Sequence, residues 1–99
     1  MTTVVLNYVP NNNSKLLEGK SDDYVPTFDL QLPSDKMLWD IPAENVNSVT
    51  VDEVNNRTSM EVPANYHNLV DLIEVGTFED GIQTLKQLDC KLPDWFEKV

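Results

Sequence analysis

Few residues of this 99-residue chain could carry chemistry, and they are quickly counted. There is one histidine, His67, and one cysteine, Cys90. On a helix His67, Asp71 and Glu74 fall at i, i+4 and i+7, so one face would offer an imidazole and two carboxylates. Zinc or manganese can use that set. One helix rarely closes a metal site alone, and no second histidine exists to join it. The set is therefore read as a solvated polar face, with no metal and no cofactor expected. Asp22-Asp23 and Glu79-Asp80 are adjacent pairs, without the alternate-position ligands and central glycine of a calcium loop. The nucleophile-elbow, phosphate-loop, H-E-x-x-H and C-x-x-C patterns are all missing. A Cys90–His67 pair would need distant helix ends brought together, so Cys90 is read as a small core or boundary residue. No enzyme is expected.

What stands out instead is charge. Seventeen acids against seven bases give a net charge of −10. Residues 37–85 hold nine of those acids and a single base, Arg57. Within them, residues 58–85 carry five carboxylates and neither lysine nor arginine. Such a field repels nucleic acid and anionic membranes and attracts basic protein surfaces. Direct nucleic-acid or membrane binding is thereby disfavoured. No run approaches the roughly 20 apolar residues of a membrane span, and the first residues, MTTVVLNYVPNNN, lack a basic leader. With no second cysteine to form an internal disulfide, a soluble cytoplasmic protein is expected.

The elements that position these acids follow from periodicity. Length and composition predict a single domain over 1–99. Thr2–Val9 is rich in β-branched residues and ends at Pro10 and three asparagines, which predicts a strand. A helical turn is predicted at Ser14–Glu18. Phe28, Leu30 and Leu32 alternate with polar residues in a second strand, and Pro26 suits an edge position. Residues 46–62 predict a β-hairpin about Asn55-Asn56, pairing Val54 with Arg57, Val51 with Met60 and Val49 with Val62. One face then collects Val49, Val51, Met60 and Val62. In PSDKMLWDIP a turn of helix capped by Ser34 is predicted between two prolines.

The second half changes period. Tyr66, Leu69, Val70 and Ile73 have helical spacing after Pro63, and Gly76 is a plausible stop. Thr77 can cap a second helix striped by Phe78, Ile82, Leu85 and Leu88, with Asp80 completing the cap. Asp94 could cap a last turn through Trp95-Phe96. The stretch from Gly76 to Pro93 resembles half of a tetratricopeptide repeat in its glycines, aromatic, aliphatics and closing proline. It occurs once, whereas a solenoid needs about three units, so an ordinary helical hairpin is expected. The whole reads as α+β: a small antiparallel sheet, N-terminal strands plus hairpin, packed against a C-terminal helical hairpin.

Binding is therefore the expected role. In size, acidity and missing catalytic motifs the chain resembles small phage-encoded inhibitors that mimic nucleic acid. That resemblance implies carboxylates occupying a basic, nucleic-acid-binding site on a target protein. The candidates are Asp52, Glu53 and Glu61 on the hairpin and Asp71, Glu74, Glu79 and Asp80 on the helices. The alternative is a small adaptor or structural subunit held through the apolar anchors Trp39 and Trp95, with acidity serving solubility.

Overall fold

The computed structural model describes residues 2–14, 16, 27–63, 70–88 and 96. Seven strands and one α-helix are formed among them: β1 (Thr2–Val9), β2 (Thr27–Leu32), β3 (Met37–Leu38), β4 (Ile41–Pro42), β5 (Ser48–Asp52), β6 (Arg57–Pro63), β7 (Val70–Gly76) and α1 (Phe78–Gln87). Five strands make one sheet in the order β2-β1-β5-β6-β7, and β3 pairs with β4 alone. The large sheet is mixed rather than antiparallel, because β1 runs parallel to β5.

Alternation along the strands puts one face inside. Val4, Leu6 and Tyr8 of β1, Leu30 and Leu32 of β2, Val49 and Val51 of β5, and Met60 and Val62 of β6 are buried together. Phe78, Ile82 and Leu85 of α1 close this core from the same side. They recur at i, i+4 and i+7, so a ten-residue helix presents one apolar stripe. The helix begins where expected: the Thr77 hydroxyl accepts from the Asp80 amide (3.2 Å) and the Asp80 carboxylate accepts from the Thr77 amide (3.0 Å). Gly81 is what lets α1 sit close. A Cβ there would lie 2.2 Å from Thr58 Oγ1 and 2.9 Å from Val51 Cγ1.

Three local expectations are corrected. The first helix of the predicted helical hairpin does not form: Val70–Gly76 is strand β7, antiparallel to β6. Val70, Ile73 and Val75 are β-branched, which costs rotamer freedom in a helix and suits a pleated surface. The neighbouring β6 supplies the ladder, and this decides between two periods that six residues cannot separate. Tyr66, His67 and Leu69 lie outside the described residues, as do Pro26, Asp94 and Trp95.

The second correction is register. Val49 pairs with Met60, Val51 with Thr58 and Asp52 with Arg57, two residues away from the expected alignment. A two-residue slip preserves side-chain facing, so Val49, Val51, Met60 and Val62 still share the core face. The loop holds four residues because the Asp52 carboxylate accepts from both the amide (3.1 Å) and Nδ2 (2.8 Å) of Asn55.

The third concerns PSDKMLWDIP, where no helical turn forms at Met37–Ile41. Leu38 and Ile41 flank a two-residue turn in which Trp39 (φ 49°) and Asp40 (φ 69°) both take positive φ. That is the twist a tight hairpin requires. Of the Ser14–Glu18 turn only Ser14 and Leu16 are described, and both are buried.

Candidate functional site

The seven singled-out acids do not form one surface. Asp52 is 5 % exposed. Burial alone would raise its pKa, but hydrogen bonds from Asn55 outweigh that, and Arg57 (3.6 Å) adds to them, so the carboxyl is held below its usual range. A lowered pKa stabilises the fold above about pH 4, and the contribution disappears as pH falls through the folded-state value. Asp52→Ala is therefore expected to cost about 2 kcal/mol near neutrality, with the gap to wild type closing below about pH 4. Urea denaturation at pH 7 and pH 3 checks this, and a gap of unchanged size at pH 3 would show that the fold does not lower the Asp52 pKa.

Glu53 is also committed internally. Its carboxylate accepts from Asn11 Nδ2 (3.1 Å) and from the Tyr8 hydroxyl, and its amide donates to the Val9 carbonyl (3.1 Å). The Tyr8 hydroxyl also meets Ser14 Oγ. Burial, then the Glu53 carboxylate, raise the Tyr8 pKa far above its ordinary 10.0. Asp80 closes the helix cap. Three of the seven acids thus hold the fold together rather than face a partner.

Glu61, Asp71, Glu74 and Glu79 remain. Asp71, Glu74 and Glu79 are exposed and Glu61 is half-buried. Asp71 and Glu74 are three apart on a strand, so they point to opposite faces and do not share the helix face expected of them; His67 lies outside the described residues. Among the described residues no three His, Cys, Asp or Glu side chains come together as metal ligands would. Glu74 stands opposite Ser59 and Glu61 opposite Leu72, so Glu61 and Glu74 are diagonal neighbours on the open face. Glu79 follows in the first turn of α1, directly after β7.

Among the described residues, the strand carrying Asp71 and Glu74 is an edge of the sheet. Four consecutive residues there are exposed, Asp71 to Glu74, and they include Leu72 (65 %) and Ile73 (38 %). The helical reading had hidden this apolar pair. Its signal was the β-branched run V-D-L-I-E-V. Trp39 is half-buried and packs against the core, while Trp95 lies outside the described residues.

Comparison with protein-family models, with curated proteins and with solved structures finds no match for this chain. The site must be read from its own geometry. No helix among the described residues is long and apolar enough to cross a membrane.

Proposed function

We propose that this chain is a non-enzymatic, acidic protein-binding domain, a small inhibitor of the phage type. Its carboxylates occupy a basic, nucleic-acid-binding site on a target protein. The observation that carries the reading is the position of the uncommitted acids. Asp71 and Glu74 on β7, Glu61 beside them and Glu79 at the start of α1 line one margin of the molecule. Arg57, the only base in residues 37–85, is turned toward Asp52, so it does not offset that margin.

A basic groove is the complement of such a margin, and its attraction is salt-dependent. Immobilised protein is expected to retain a nucleic-acid-binding protein that elutes between about 50 and 200 mM salt and is displaced by duplex DNA. Combined reversal by Asp71→Lys, Glu74→Lys and Glu79→Lys is expected to lower retention at least about tenfold, with the melting curve preserved. Unchanged retention by the triple variant would refute the reading.

One observation favours the adaptor alternative. A tryptophan at φ 49° is unusual for a bulky residue, and backbone strain of this sort clusters at functional sites. In that case retention survives high salt and is lost on Trp39→Ala.

A further inference from the structure

We infer that the β7 edge binds its partner by strand addition, taking an extended segment with a basic–apolar–apolar–basic pattern. The inference rests on the acidic-margin reading above and specifies its partner's chemistry.

An edge strand leaves alternate backbone N–H and C=O groups unpaired along its outer side. Evolution commonly blunts such edges with proline, lysine, shortness or a covering element. Strand β7 is seven residues long, and none of them is proline or lysine. Asp71, Leu72, Ile73 and Glu74 are all exposed, and no element among the described residues covers the middle of the strand. The ladder to β6 is irregular only at Thr58/Ser59, beside Val75. The pairing Ser59–Glu74 through Pro63–Val70 is continuous, so the template is regular where it is exposed.

Its side chains specify the visitor. Residues directly opposite each other on paired strands share a face. A visitor therefore needs bases opposite Asp71 and Glu74 and apolar residues opposite Leu72 and Ile73. That gives basic residues at i and i+3 with two apolar residues between them. The pattern is symmetric about its centre, so parallel and antiparallel visitors both satisfy it.

A second copy of this chain offers no such complement. Antiparallel copies pair residues that share a face, so Leu72 against Leu72 sets Asp71 opposite Ile73 and Glu74 opposite Val70, which leaves both acids without a base, and each copy carries a net charge of −10. The occupant that the edge favours is a basic strand.

The probe is an acetylated and amidated octapeptide, TVKVIKVT, titrated into the full chain by fluorescence anisotropy at low salt. Two analogues carry N-methyl groups on alternate residues, one on the odd and one on the even positions. Saturable binding is expected, with one analogue weakened at least about tenfold and the other little changed, because only one set of amides faces β7. The variant combining Asp71→Lys and Glu74→Lys is expected to lose at least about tenfold as well. If both analogues bind like the parent while the double variant does not, strand addition is overturned and the acidic margin stands. If one analogue fails but the double variant still binds, the edge pairs without charge selection, and the proposed pattern is overturned with the acidic reading. A parent peptide that does not bind overturns the inference outright, and the carboxylates then only guard the edge.

Discussion

Gly81→Ala is expected to destabilise the domain by about 2–3 kcal/mol, although alanine is the better helix former by about 1 kcal/mol. The added methyl has nowhere to go. It would stand 2.2 Å from Thr58 Oγ1, 2.8 Å from Thr58 Cγ2 and 2.9 Å from Val51 Cγ1. Thr58 cannot simply rotate away, because its hydroxyl donates to the Thr77 carbonyl at 2.6 Å, where β7 turns into α1. Either that bond breaks or the helix lifts off β5 and β6 and opens the packing of Phe78, Ile82 and Leu85. A domain of this size is held by a stability of order 5–10 kcal/mol, so the midpoint should fall by roughly 10–20 °C. Thr58→Ala added to Gly81→Ala removes two of the three clashing atoms, so the double variant should be more stable than the sum of its parts. A thermal melt of Gly81→Ala at or above wild type would show that α1 does not approach so closely.

Tyr8→Phe is expected to cost about 1–3 kcal/mol near neutrality. The ring and its contact with Phe78, centroids 6.1 Å apart, survive the change. What is lost is the hydroxyl to which both the buried Ser14 hydroxyl and the Glu53 carboxylate are bonded. The effect should also depend on pH. Burial and Glu53 raise the Tyr8 pKa above its ordinary 10.0, so the folded state resists losing this proton while the unfolded state releases it. Stability from the raised pKa is complete below about pH 10 and is lost as pH rises toward the folded-state value. The phenylalanine variant has no such group, so the difference between the two proteins should narrow from pH 9 to about pH 11.5. The remaining tyrosines are common to both proteins and cancel to first order. Denaturant midpoints across that range test it; a constant gap would mean that the hydroxyl does not sit in this cluster.

Alternation was readable wherever one face of a strand is buried. Val4, Leu6 and Tyr8, or Val49 and Val51 against Met60 and Val62, announce themselves because polar residues stand between them. The Thr77–Asp80 cap was equally legible, since its chemistry is local. The hairpin register was not, because a single carboxylate, Asp52, lengthens the loop through Asn55, and side-chain capture of backbone leaves no period to read. Strand β7 was misread for a related reason. Leu69, Val70 and Ile73 satisfy a helix as well as a strand, and only the unpaired side of β6 decides the matter. The candidate site inherited that error. Asp71 and Glu74, expected on a helix face, stand on a strand, with the exposed Leu72 and Ile73 between them. Composition does not reveal that Asp52 and Glu53 are already hydrogen-bonded within the fold.

The parallel pairing of β1 with β5 has a consequence in time. The ribosome makes β1 first, and a hairpin with β2 can close in roughly 1–10 µs once both are out. The strand that belongs on β1's other side ends at Asp52, 43 residues beyond Val9. At ~5–20 residues per second that is a wait of roughly two to nine seconds. Throughout it, Val4, Leu6 and Tyr8 line an apolar ribbon with one bare margin and no helix over it. The nascent chain is therefore most vulnerable to wrong pairing before its acidic half has been synthesised.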